Sequence, residues 1–151
     1  MSIKPEKLGE FLEQLKMFPD RVERLQVLVS LGERFKPSVP PGIKKPYPLE
    51  HQVPGCESEV FMWATPQPDE TLKYHFAVEN PQGISAMALA VVIDDYLSGQ
   101  PLEQVVEVPD EIVFEMFGPE LSMGKGIGLI NMLRMAVAFA KQSLREAGAR
   151  A

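Results

Sequence analysis

Cys56 is the single cysteine among the 151 residues, and Val53-Pro54-Gly55 precedes it directly. Proline then glycine suits the two central positions of a type II turn, glycine taking the positive φ. Cys56 therefore stands at the exit of a turn, where a thiol is easier to reach than inside a strand or helix. As a thiolate it would be a nucleophile. The bland alternative is a small buried apolar residue, a common fate of a lone cysteine. Glu57 and Glu59 stand beside it and oppose a thiolate. His51 and His75 supply imidazole bases for a Cys–His hydrolase, and the ordinary alternative for each is an exposed histidine. No Ser-His-Asp constellation stands out. One cysteine also excludes an intrachain disulfide and any zinc or iron–sulfur site built from several cysteines of one chain.

Gly124-Lys125-Gly126-Ile127-Gly128 invites comparison with a phosphate-binding loop, and the details fail. Five residues separate Gly118 from Gly124 where that pattern needs four, and Gly126 stands where Ser or Thr should bind magnesium. A helical pattern, rather than a strand, precedes it. Backbone amides and a lysine at the entry to a long helix can still meet an anion. The plain reading is a flexible loop that lets the last helix pack closely.

The elements that must position these residues follow from periodicity. Leu8, Phe11, Leu12 and Leu15 fall at helical spacing after Pro5, and Pro19-Asp20 ends that helix. Asp20 caps a second helix, with Glu23 placed as in a capping box, and Val22, Leu25, Leu28 and Val29 form its expected apolar stripe. Six prolines between Pro37 and Pro54 exclude helix and central strand. That stretch reads as an ordered surface loop pinned by Val39, Ile43, Tyr47, Leu49 and Val53. Two alternating segments, around Val60–Ala64 and Leu72–Val78, flank a Pro/Asp turn and predict a β-hairpin. The Leu72, Tyr74, Phe76, Val78 face is its expected seat for helices. Glu50 to Val53 is the best candidate for a third strand. A helix follows from about Gln82 to Leu97, with Ile84, Met87, Ala88, Val91 and Tyr96 expected inside. Two short helices come next, one holding Leu102, Val105 and Val106, the other Ile112, Val113, Met116 and Phe117. The last runs from about Ile127 to Arg145, with Gly148 after it. Clustered strands and clustered helices predict one α+β domain over residues 1–151.

Composition bounds the function. Hydrophobic residues make up 45% and charged residues 24%, an ordinary globular profile, and the net charge of −6 gives no basic face for nucleic acid. The charge is uneven. Residues 56–121 hold one basic side chain against thirteen acidic ones, while the flanking segments sum to +2 and +4. This is either a solvated acidic face or a docking surface for a basic partner. The longest mainly apolar stretch, Ile84 to Ile93, is about half of the roughly 20 residues that cross a bilayer. No apolar signal segment opens the sequence, and a cytoplasmic location is the default expectation.

Three blocks carry a family resemblance. Val53-Pro54-Gly55-Cys56-Glu57-Ser58-Glu59-Val60-Phe61-Met62 resembles the V-x-G-C-x-S-x-V-W-[IVL] segment of the SufE-like sulfur-acceptor family, Phe61 keeping the aromatic character. Gly83 to Val92 is similar to the helix after that family's sheet. Leu121 to Leu133 resembles its L-x-P-S-R-x-x-G-[LF]-x-x-M-[LIV] ending, with Lys125 in place of arginine and Met123-Gly124 in place of proline–serine.

The resemblance implies an α+β fold: a small antiparallel sheet of about three strands packed against helices, shared with the U-type iron–sulfur scaffolds. The single cysteine sets the chain apart from those scaffolds, which use several cysteine ligands. It further implies sulfur transfer from a cysteine desulfurase (SufS-like) onto Cys56 as a persulfide, stimulation of that desulfurase, and delivery to an iron–sulfur scaffold complex (SufBCD-like). Pyridoxal phosphate belongs to the desulfurase, and no cofactor is expected on this chain. Pro54 and Gly55 present the thiol, while Glu57, Ser58, Lys125 and Gly128 are expected at the partner or persulfide contact, Lys125 near the Cys56 loop. The acidic neighbours imply a thiol that is sluggish in the free protein and activated on docking. No nucleic acid or membrane partner is expected, and the assembly is a monomer or homodimer. The rival readings are a non-catalytic adaptor with a structural Cys56, and the Cys–His hydrolase.

Overall fold

A helix that is apolar round its whole circumference needs neighbours on every side. Residues 84–97 make such a helix, with Ala86, Ala88–Ile93 and Leu97 all buried. The computed structural model describes residues 3–118 and 123–150, and within the last helix the side chains of residues 126–149. The elements run α1 (Glu6–Leu15), α2 (Arg21–Glu33), a 3-10 turn (Leu49–His51), β1 (Val60–Pro66), β2 (Leu72–Val78), α3 (Ile84–Leu97), α4 (Leu102–Val105), α5 (Glu111–Phe117) and α6 (Met123–Arg150). The central α3 touches α1, α2, α6 and β2.

β1 and β2 pair antiparallel from Val60↔Val78 to Pro66↔Leu72. Leu72, Tyr74 and Phe76, with Val60 and Met62, form the face buried under the helices, as the alternation predicts. The Tyr74 hydroxyl donates to the Ala136 carbonyl at 2.6 Å, which ties the sheet to α6 and satisfies a buried phenol. On the opposite face Phe61, Trp63 and Ala77 are covered by Val39, Ile43 and Tyr47 of the proline-rich segment. Leu49, expected to help pin that segment, is 78% exposed.

The expected third strand does not form. Leu49–His51 coils into the 3-10 turn, and pairing with β1 shrinks to an isolated bridge, Gln52↔Phe61, and the Val53 amide on the Val60 carbonyl at 2.8 Å. Pro46, Pro48 and Pro54 bracket this stretch and lack the amides a longer ladder requires. Among the described residues the fold is thus α+β, with six α-helices around a two-stranded antiparallel sheet.

Asp20 caps α2, accepting from the Val22 amide at 2.9 Å. The apolar stripe expected on α2 is rotated, however. Its buried line runs through Leu28, Leu31 and Gly32, whereas Val22 and Leu25 are exposed. Leu28, Leu31 and the half-buried Arg24 and Phe35 fall on one helical face, with Leu25 to its side and Val22 on the far face. Ile84 is likewise exposed at the start of α3, and Met87 and Tyr96 are half-buried rather than inside. Residues 123–128, read from sequence as a loose loop, are the opening turns of α6, and the helix continues through Gly148.

Folding pairs part of the acidic segment with basic groups elsewhere. Glu79 meets Lys45, Asp95 meets Arg34 and Asp110 meets Arg134, each at 3.0 Å or less, while Asp94 takes Lys73 and the Ser98 hydroxyl. Exposed pairs of this kind contribute at most about 1 kcal/mol each. Glu57, Glu59, Asp69, Glu70, Glu103, Glu107 and Glu111 remain exposed. No helix among the described residues is long and apolar enough to cross a membrane.

Candidate functional site

Two core residues, Val53 and Val60, anchor the ends of the loop that carries Cys56. Between them Gly55 has φ +71°, the positive value that the Pro54-Gly55 pair predicts. Glu59 also has a positive φ, +53°, an uncommon conformation for a residue with a Cβ. It is held there by hydrogen bonds on both sides: its amide donates to the Cys56 carbonyl at 3.3 Å, and its carbonyl accepts from the Glu79 amide at 3.1 Å. The Asn80 amide donates to the Ser58 carbonyl at 3.1 Å. The second half of the loop is thereby sewn to the end of β2. The first half is held from α6, where the Asn131 side-chain amide donates to the Pro54 carbonyl at 2.9 Å.

Two glycines let helices close on this loop. A Cβ on Gly128 would lie 2.9 Å from the Cys56 Cα and 3.0 Å from the Gly55 carbonyl oxygen, closer than side chains tolerate. A Cβ on Gly83, just before α3, would lie 2.8 Å from the Ser58 side chain. Cys56 is consequently half-buried. A cavity of about 190 Å³ opens beside it, between the loop, the Asn80–Gly83 turn, the first turn of α3 and Gly128-Leu129. A shallower groove on the loop's other flank is lined by Leu49, Gln52 and Pro54. Three large aliphatic side chains, Leu49, Ile84 and Ile127, are exposed around these openings, and Ile127 lies against Gly55.

Burial pushes the Cys56 thiol above its ordinary pKa, and Glu57 adds a smaller push in the same direction. The nearby Ser58 amide and hydroxyl and the Val60 amide pull the other way, favouring the thiolate. The neighbouring carboxylates alone would make a reluctant thiolate, but the larger cause is desolvation. The three donors are placed to hold a sulfur anion once one forms.

Pro54, Gly55, Glu57, Ser58 and Gly128 all gather around Cys56. Lys125 belongs to α6 by its backbone, and its side chain lies outside the described residues, as do residues 121–122 of the ending block. The histidines go elsewhere. His51 bonds the Met62 carbonyl through Nδ1 at 2.9 Å and stacks on Trp63. His75 is bracketed by the Ser38 hydroxyl on Nδ1 at 2.8 Å and the Thr65 hydroxyl on Nε2 at 2.9 Å. Both are half-buried and structural rather than exposed, and neither lines the openings beside Cys56. Sequence reasoning missed Asn80, Gly83 and Asn131. For Asn131 a signal existed: it stands three residues after Gly128, on the same helical face.

The sequence profile described as the Fe-S metabolism associated domain, SufE, matches residues 9–140. The chain belongs to the SufE family. Membership places this SufE-family protein in iron–sulfur metabolism, in which the family's general partner is a cysteine desulfurase. Its fold is similar to the solution structure of a hypothetical protein from Thermus thermophilus, with 26% identity, a TM-score of 0.72, and coverage of 96% of this chain and 99% of that one. No curated protein matches the chain.

Proposed function

We propose that this SufE-family chain accepts sulfane sulfur on Cys56 from a pyridoxal-phosphate cysteine desulfurase, stimulates that enzyme, and passes the sulfur to a scaffold complex that assembles iron–sulfur clusters. The observation that carries the reading is the placement of the only cysteine on a short, hydrogen-bonded loop, beside a small cavity and within an exposed aliphatic rim.

The chemistry is thiol–persulfide exchange. The Cys56 thiol first loses its proton to solvent or to a base of the docked partner. Its Sγ then attacks the outer sulfur of the partner's persulfide; a new S–S bond forms, the partner's S–S bond breaks, and the partner's cysteine leaves as a thiolate. No net oxidation occurs. The Ser58 and Val60 amides and the Ser58 hydroxyl stabilise the attacking thiolate, and the cavity shelters the outer sulfur of the product from bulk reductant. Burial slows the first step in the free protein. Docking on the rim around Leu49, Ile84 and Ile127 rearranges the loop and exposes the sulfur.

The test is desulfurase turnover, read as alanine formed from cysteine, with and without the chain. Wild type raises turnover, and Cys56→Ser, which keeps the loop's shape, removes the stimulation. Full stimulation by Cys56→Ser would contradict sulfur acceptance and support an adaptor that acts by binding alone.

A further inference from the structure

The Cys56 loop is held unevenly. Its second half is tied to the end of β2 by backbone hydrogen bonds from Asn80 and Glu79 to the Ser58 and Glu59 carbonyls, and Val60 pairs with Val78. Its first half, Pro54-Gly55, is exposed, and among the described residues Asn131 supplies the one side-chain hydrogen bond that reaches it from outside the loop. We infer that Asn131 is the positioning residue of the site: by donating from α6 to the Pro54 carbonyl it holds the turn closed and sets how often Cys56 becomes accessible. The inference deepens the proposed sulfur-acceptor role, and its functional side rests on that reading.

The geometry supports a latch. Asn131 stands on a long helix fixed in the core through Leu129, Met132 and Leu133. Ile127 and Gly128, one helical turn earlier on the same face, meet Gly55 and Cys56 respectively. These three positions form a socket that the turn occupies only when seated against α6. Val53 and Val60 are buried and stay in the core if the turn lifts, so the loop opens locally without unfolding the domain. Lifting the turn off Gly128 frees the sulfur from the contacts that bury it. The latch is a single hydrogen bond at the surface, weak enough for a docking protein to replace.

The experiment reads Cys56 alkylation by iodoacetamide across a pH series, on the isolated full chain, for wild type, Asn131→Ala and Asn131→Asp. The aspartate keeps the shape and lacks the donor. Losing one hydrogen bond raises the open fraction, and hence the rate at fixed pH, by roughly two- to tenfold. The pH midpoint falls toward that of an ordinary thiol, because the opened sulfur sheds its burial. Ser98→Ala is the control. It removes the hydroxyl that accepts from the Tyr74 amide and donates to Asp94 at the far end of α3, lowering stability without touching the loop. Faster alkylation with a lowered midpoint in both Asn131 variants, and wild-type behaviour in Ser98→Ala, is the expected result. An unchanged rate in the Asn131 variants, an unmoved midpoint, or equal acceleration in Ser98→Ala overturns the inference. No desulfurase enters the measurement, so failure of wild type to take up sulfur would remove the proposed function and leave this result intact.

Discussion

At Cys56 two influences of opposite sign meet. Burial beneath Gly128 and beside Leu129 raises the energy of the thiolate, while three donors from Ser58 and Val60 lower it. The balance lies on the side of the thiol, so alkylation of the free protein has a pH midpoint above that of a free cysteine. Ser58→Ala separates the two influences. It keeps the Cβ that packs against Gly83 and removes the hydroxyl, so the midpoint moves further up and alkylation at a fixed pH slows several-fold. A midpoint unchanged or lowered in Ser58→Ala would show that the hydroxyl does not serve the sulfur. The turn itself was readable in the sequence, because Pro-Gly dictates it wherever it occurs. Asn131 shares a helical face with Gly128, which was readable, but its bond to Pro54 was not, because it spans 77 positions and depends on how α6 lies over the turn.

For the elements, helix and strand identity was legible wherever a period was pure. The hairpin face of Leu72, Tyr74 and Phe76 turned inward as its alternation demands, and the proline-rich segment covered the second face of the sheet through Val39, Ile43 and Tyr47. The face of α2 was misread, since two overlapping apolar lines run along that helix and only packing decides between them. The choice is testable by stability. Leu28→Ala costs about 2–5 kcal/mol, whereas Leu25→Glu, on a side chain 58% exposed, stays within about 0.5 kcal/mol of wild type. Urea midpoints of the two variants check this; a large loss for Leu25→Glu would place Leu25 in a buried interface. The third strand failed for a different reason. A two-stranded hairpin alone is marginal, which points to Glu50–Val53 as a third strand, but the surrounding prolines remove the donors that pairing needs.

Over the whole molecule, the acidic excess of residues 56–121 looked in sequence like one surface. Folding divides it: Glu79, Asp94, Asp95 and Asp110 bind cations that tie elements together, while Glu57, Glu59, Asp69, Glu70, Glu103, Glu107 and Glu111 stay in solvent and Glu115 is half-buried. Stability also depends on pH through His75, whose pKa burial and then Lys73 depress below the ordinary imidazole value. The unfolded chain therefore takes up a proton there before the folded one does. Stability from this group is fully present above the ordinary histidine value and is lost as pH falls toward the depressed folded value. His75→Gln flattens the fall in thermal midpoint between about pH 7 and pH 5 relative to wild type. An equally steep fall in the variant would assign that pH dependence to other groups.

The proposed function requires that Cys56 receive sulfur. The most direct measurement is an intact-mass spectrum of the chain after incubation with a cysteine desulfurase and cysteine, without reductant, with Cys56→Ser alongside. The expected result is a gain of one or more sulfur atoms that reductant removes and the variant lacks. No gain on a free, alkylatable Cys56, with a desulfurase that the chain demonstrably stimulates, would contradict it.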